Sequence, residues 1–68
     1  MITKNQAKEF YRDLCGTAYG DSNKTCQGTM SETHIADLMG ISNERAESFC
    51  KAMITHGITE RQGGFIVV

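Results

Sequence analysis

Three cysteines and two histidines carry the most reactive side chains of this chain, and their chemistry could serve metal binding or nucleophilic catalysis. Cys15, Cys26 and Cys50 are widely spaced, and no Cys-x-x-Cys or His-x-x-x-His pair brings two ligands together. His34 and His56 are also distant in sequence, so we expect no metal site. A catalytic cysteine needs an exposed thiol beside a base, whereas Cys15 and Cys50 each complete an apolar helical stripe and are expected to be buried.

The remaining glycine-rich feature and the size of the chain also argue against an enzyme. The Gly63-Gly64 pair lacks the Lys and the Ser or Thr of a phosphate-binding loop. A chain of 68 residues, 40% of them apolar, can form one thin core with little depth for a catalytic pocket. We therefore expect one domain over residues 1–68 that acts as a binding module without a cofactor.

Cysteine usage and hydropathy indicate the compartment. Three cysteines are an odd number and too few for a secreted disulfide framework, so we expect them to be reduced. No apolar run approaches the ~18 residues of a membrane helix, and residues 2–6 do not resemble a signal peptide. The sequence therefore predicts a cytoplasmic protein that does not enter a membrane.

The elements that would position a binding surface begin with a capped amphipathic helix. Thr3 followed by Gln6 is a capping-box pattern, in which each side chain accepts a hydrogen bond from a backbone N–H of the first turn. Apolar residues then recur on one helical face, at Ala7, Phe10, Tyr11, Leu14, Cys15 and Ala18. We expect this helix to end near Cys15, or near Ala18 if Gly16 is carried at a cost of about 1 kcal/mol. The polar residues 20–28 predict a loop in which Cys26 is exposed.

A second, shorter helix is predicted after this loop, and Thr29 with Met30 leaves room for a short strand before it. Ser31 can cap the second helix, while Thr29 with Glu32 forms a rival capping box. Gly40 is expected to end this helix.

A third helix is predicted after Ser42, which is again a favourable N-cap residue. Its apolar residues repeat at helical spacing, at Ala46, Phe49, Cys50, Met53 and Ile54. We expect it to end at His56, with Gly57 in the left-handed conformation and Ile58 contacting Met53.

The last eleven residues change to the pattern of a β-hairpin. Residues 58–62 and 65–68 would form two strands, joined by Gly63 and Gly64 because a tight hairpin turn demands positive φ angles. Along the final strand, Phe65 and Val67 point to one side and Ile66 and Val68 to the other. One of these pairs has no evident cover, and we expect a homodimer or protein contact through this strand or the first helix, unless the helices wrap both faces.

The segment from Ser31 to Met53 resembles the helix-turn-helix of bacterial and archaeal DNA-binding proteins. Ala36 allows two helices to approach closely, Gly40 permits the turn, and Ile41 fills the space beneath it. With the hairpin, residues 3–68 resemble the winged helix family. The resemblance implies an α+β fold, a small winged helix in which three helices precede a C-terminal β-hairpin wing. A three-helix bundle with a frayed apolar tail is the alternative.

The resemblance also implies a function and a set of contacts. The third helix would enter the major groove of double-stranded DNA, and the wing would reach the backbone or the minor groove. Such a protein would be a transcriptional or mobile-element regulator. The implied DNA contacts are Thr33 on the second helix, Ser42, Asn43, Glu44, Arg45, Ser48 and Lys51 on the third, and Arg61 and Gln62 on the wing. His34 is a further candidate phosphate ligand.

The charges favour a second interpretation. The whole chain has a formal charge of -1, and the third helix carries as many glutamates as cations. DNA-binding surfaces usually present an excess of Lys and Arg. The alternative function is therefore a winged helix protein-interaction module that does not bind DNA.

Overall fold

The computed structural model describes residues 2–19 and 28–68, and in these ranges it has three helices and three short strands. In chain order the elements are α1 (Lys4–Tyr19), β1 (Thr29–Met30), α2 (Glu32–Met39), α3 (Asn43–Thr55), β2 (Arg61–Gln62) and β3 (Phe65–Val67). No helix within the described ranges is both long and apolar enough to cross a membrane.

The first helix begins where its sequence predicts. The backbone N–H of Thr3 donates to Gln6 Oε1 at 2.8 Å, and the N–H of Gln6 donates to Thr3 Oγ1 at 3.2 Å, which confirms the capping box. The helix ends at Tyr19, beyond both predicted ends, so Gly16 is carried inside it. The prediction of an exposed Cys26 falls outside the described residues.

The second helix is capped by Ser31, whose Oγ accepts from the N–H of His34 at 3.1 Å. The rival capping box of Thr29 and Glu32 is wrong, because Thr29 lies in β1 and the Glu32 carboxylate accepts from Arg61 instead. Gly40 ends α2 at φ +68°, and the N–H of the following Ile41 donates to the Ala36 carbonyl at 3.0 Å. This pattern closes the helix as a Schellman motif and turns the chain towards α3.

The third helix shows the same pair of signals. Ser42 Oγ accepts from the N–H of Arg45 at 3.2 Å. At the other end, Gly57 has φ +73° and the Ile58 N–H donates to the Met53 carbonyl at 2.9 Å. The predicted start and stop of this helix are therefore confirmed.

The strands form one antiparallel sheet in the order β1-β3-β2, so the short strand before α2 pairs with the last strand of the chain. Thr29 lies opposite Val67, and Gln62 lies opposite Phe65. Of the two turn glycines only Gly63 has a positive φ, at +62°, so the expectation that both require one is wrong. We call β2, this turn and β3 the wing.

The core lies where the three helices meet the inner face of β3. Its fully buried large side chains are Leu14, Ile35, Cys50, Met53, Ile66 and Val68. Within the described residues no polar or charged residue is buried. Ile66 and Val68 anchor the wing to the helices, and three helices followed by an antiparallel hairpin match the layout of a small winged helix.

Candidate functional site

The outer face of α3 is exposed and borders an open groove between this helix and the start of α1. We call it the α3 groove. Ile2 and Gln6 line it from the α1 side, and α3 and the adjoining residues contribute Ser42, Glu44, Arg45, Ser48, Phe49, Lys51, Ala52, Thr55 and His56. Five of the predicted contact residues therefore share one surface: Ser42, Glu44, Arg45, Ser48 and Lys51.

The other predicted contact residues lie outside this groove. Asn43 is exposed at the first position of α3, and Thr33 is exposed in the first turn of α2. Arg61 and Gln62 form β2. The amide nitrogen of Gln62 donates to the Glu60 carboxylate at 3.5 Å. The predicted set therefore divides into the α3 groove, the start of α2 and the wing.

Two of the predicted cations are paired with carboxylates. Lys51 Nζ lies 3.0 Å from Glu47 Oε1, and these side chains are 69% and 52% exposed. An ion pair this solvated contributes about 1 kcal/mol or less, so Lys51 can exchange Glu47 for another anion at little cost. With Glu44 and Arg45 also present, α3 has no net charge.

The second pair joins the wing to the helices. Arg61 Nη1 donates to Glu32 Oε1 at 3.0 Å, with the side chains 36% and 27% exposed. The other carboxylate oxygen, Glu32 Oε2, is buried and has no hydrogen-bond partner among the described residues. Arg61 is thus the main neutralising group for Glu32, and binding another anion through Arg61 would leave that carboxylate uncompensated.

Arg45 is held differently, by a cation–π contact with an aromatic ring. Its guanidinium carbon lies 5.3 Å from the centre of the Phe49 ring. Phe49 in turn stacks on Phe10, with the ring centres 4.2 Å apart and the planes 6° from parallel. The apolar spacing of α3 predicts a core position for Phe49, but the ring is half-buried and lines the α3 groove. The spacing of Arg45 and Phe49, four residues apart on a helix, is the sequence signal for this contact.

The cysteines do not form a reactive site in the described residues. Cys50 is free and fully buried, and burial raises the pKa of its thiol to about 11, with nearby Glu32 adding to the rise. It is therefore protonated at neutral pH and is not a nucleophile. Cys15 is buried as predicted but is disulfide-bonded, so the expectation of reduced cysteines is wrong for Cys15. A disulfide requires its two Cα atoms about 4.4–6.8 Å apart, a condition that the fold sets and that sequence spacing does not reveal.

The outer side of the wing carries the largest exposed apolar side chain of the described residues. Phe65 is 50% exposed, whereas its neighbour Ile66 is fully buried. Val67, on the same side of β3 as Phe65, is half-buried and lines a shallow depression with Tyr11 and Ile58. Ile66 and Val68 are thus the covered pair, whereas of the other pair only Phe65 is exposed, because Tyr11 and Ile58 lie beside Val67.

No protein-family model matches this chain, and neither the curated proteins nor the solved structures contain a significant match. Within the described ranges, no group of three or more His, Cys, Asp and Glu side chains is placed to hold a metal ion.

Proposed function

We propose that this domain belongs to the winged helix family and binds double-stranded DNA as a transcriptional or mobile-element regulator. In this proposal the first turns of α3 enter the major groove and the wing lies against the backbone. The observation that carries it is the exposed face of α3, which follows a tight glycine turn from α2 and presents five of the predicted contact residues along one open groove.

The residues on this face have the chemistry to contact DNA. Ser42 and Ser48 carry hydroxyl groups near the start of α3. The Ser42 hydroxyl, which accepts from the N–H of Arg45, keeps its own O–H to donate to a base edge or a phosphate. Ser48 donates its O–H to the Glu44 carbonyl at 3.0 Å, so in its present conformation it can only accept from a base donor. Arg45 and Lys51 supply the positive charge, and Glu44 can accept a hydrogen bond from cytosine N4. In this proposal the exposed Thr33 and His34 contact phosphate at the start of α2, where backbone N–H groups also favour an anion.

A protein-interaction module is the second candidate, and two observations favour it. Lys51 and Arg61 are both engaged by glutamates, which lowers the positive potential that DNA would encounter. Phe65 is exposed on the wing, as an aromatic anchor in a protein interface would be before binding. A homodimer through this strand or α1 is one form of this candidate.

The compartment is part of the same proposal. Because the resemblance is to bacterial and archaeal proteins, whose DNA lies in the cytoplasm, the proposal includes a cytoplasmic location. The Cys15 disulfide opposes this placement, because cytosolic proteins rarely keep stable disulfides.

Fluorescence anisotropy with mixed-sequence duplex DNA tests the proposal. We expect binding at ~50 mM salt with an affinity that weakens as salt rises, because each neutralised phosphate releases counterions. The double charge-reversal variant, Lys51→Glu with Arg61→Glu, should not bind DNA. The matched control is Lys8→Glu with Arg12→Glu on α1, which changes the net charge equally at exposed positions outside the α3 groove and should leave most of the binding intact.

One result would reject DNA binding, and a second would reject the α3 groove and the wing as the surface that binds DNA. One is the absence of any anisotropy change at a protein concentration of ~50 µM in ~50 mM salt, since non-specific affinities usually reach this range. The other is an equal loss in both double variants, because net charge alone would then explain the signal. Circular dichroism melting of each variant checks that Arg61→Glu has not unfolded the domain by removing the partner of Glu32.

A further inference from the structure

Arg45 stands at the third position of α3, where helical side chains lean towards the N-terminus. Phe49, one turn later, leans the same way and therefore reaches the turn that carries Arg45. Phe10 already covers one face of the Phe49 ring at a centre distance of 4.2 Å. The guanidinium, 5.3 Å from the same ring, must take the other face. Phe10, Phe49 and the Arg45 guanidinium thus follow one another from the core to the surface.

Arg45 and Lys51 both line the α3 groove, and Arg45 is the one whose N–H donors remain available. The groove's other cation, Lys51, is bonded to Glu47. By contrast, no carboxylate of the described residues lies within 4.0 Å of the Arg45 guanidinium. A guanidinium held over a ring by cation–π attraction keeps its N–H donors available, because the ring takes none of them in a conventional hydrogen bond. The arginine is thus oriented without its hydrogen-bonding edge being occupied.

We propose that Arg45 is the residue that reads sequence, donating two parallel hydrogen bonds to O6 and N7 of a guanine in the major groove. Phe49 is its positioning residue. This inference rests on the proposed DNA-binding function. Guanine is the base whose major-groove edge carries two acceptors that match the fork of an arginine, and the first turns of the recognition helix are the part that reaches base edges.

Preorganisation is the physical reason for the Phe49 contact. An exposed arginine samples many rotamers, and fixing it on binding costs entropy. A guanidinium that already rests on a ring has lost part of that freedom before DNA arrives. Removing the Phe49 ring should therefore weaken DNA binding by about 2- to 10-fold. The loss should occur only in proteins that still have Arg45.

The first experiment identifies the base. Selection from randomised duplexes should yield a preferred site with a guanine whose replacement by another base weakens binding by roughly 5- to 150-fold. Replacing that guanine by 7-deazaguanine removes the N7 acceptor and keeps Watson–Crick pairing, and it should reproduce part of the loss. Arg45→Lys keeps the positive charge and loses the two-pronged guanidinium. In this variant the affinities for guanine and for the other bases at this position should differ by less than about 3-fold, while the salt dependence of binding stays the same.

The second experiment tests Phe49 by a double-mutant cycle of Phe49→Leu and Arg45→Ala. Phe49→Leu should weaken DNA binding in the wild-type background and leave the affinity of Arg45→Ala unchanged. Leucine retains apolar volume, and thermal melting establishes that the variants are folded at the assay temperature. In free protein, the upfield NMR shifts that the ring imposes on the Arg45 side-chain protons should disappear in Phe49→Leu.

The outcomes separate this inference from the function on which it rests. If the wild-type protein binds no DNA, both fall. If it binds with the expected salt dependence but Arg45→Lys weakens all sequences equally, Arg45 is a phosphate ligand and only the inference is overturned. An equal effect of Phe49→Leu with and without Arg45 would show that the ring acts through folding, which overturns its positioning role.

Discussion

Two adjacent glycines in the wing should respond in opposite directions to the same substitution. Gly63 has φ +62°, whereas Gly64 does not have a positive φ. A Cβ at either position meets no atom within 4 Å, so steric clash does not distinguish them. Their difference is therefore a difference of backbone conformation alone, which makes Gly64→Ala a matched control for Gly63→Ala.

The magnitudes follow from that conformation. An L-residue forced to a left-handed φ costs about 1–2 kcal/mol, so Gly63→Ala should lower the free energy of unfolding by about that amount. Gly64→Ala introduces no such strain and reduces the freedom of the unfolded chain, which should stabilise by up to about 0.4–1 kcal/mol. For a domain of this size 1 kcal/mol corresponds to about 4–8 °C in Tm.

Thermal unfolding followed by circular dichroism measures both variants. The wing strand contributes the fully buried Ile66 and is followed by the fully buried Val68, so strain in the turn should be felt in the global transition. We expect Gly63→Ala to melt below the wild-type protein and Gly64→Ala to melt at or above it. Equal destabilisation by the two variants would contradict this reasoning, because it would mean that both turn positions require a positive φ.

Three further predictions concern charge, pH and redox state. Glu47→Gln should release Lys51, and Glu32→Gln should release Arg61. Each variant should therefore bind DNA about 2- to 5-fold more tightly in the anisotropy assay. Unchanged affinity in both variants would show that these ion pairs do not compete with phosphate. Because the pKa of Cys50 is raised in the folded protein, the thiol of the unfolded chain loses its proton at a lower pH. The free energy of unfolding should therefore fall by about 2–3 kcal/mol as the pH rises from about 9 to about 11. Urea titrations at pH 8 and 11 should show this fall, and Cys50→Ala should lack it. Alkylation of the denatured, unreduced chain should modify Cys50 and leave Cys15 unmodified until a reductant is added, as peptide mass mapping would reveal.

The helix limits were predictable because they depend on residues close in sequence. Ser31 and Ser42 cap their helices through bonds to an N–H three residues later, and Gly40 and Gly57 end theirs at positive φ. Each signal acts within one turn of the chain. The end of α1 was predicted too early, because a glycine can either end a helix or be carried inside it. Gly16 is carried inside α1.

The features that escaped prediction join residues that are distant in sequence. The pairing of β1 with β3 brings Thr29 opposite Val67, and the Glu32–Arg61 bridge spans 29 residues. Periodicity and capping patterns contain no information on which distant segments meet, so the relation of the wing to α2 had to come from the structure.

The near-zero charge of the domain has a different meaning once its distribution is known. A formal charge of -1 suggests that no part of the surface attracts DNA strongly. The cations nevertheless differ, because Lys51 and Arg61 are each paired with a glutamate, while Arg45 has no carboxylate partner among the described residues. Each phosphate contact contributes about 0.9 to the slope of log affinity against log salt. A monomer that keeps both ion pairs should therefore show a shallow slope, of about 1–2 in magnitude, and low non-specific affinity. Glu47→Gln should steepen that slope by about 0.9, because Lys51 would then be free to displace a counterion.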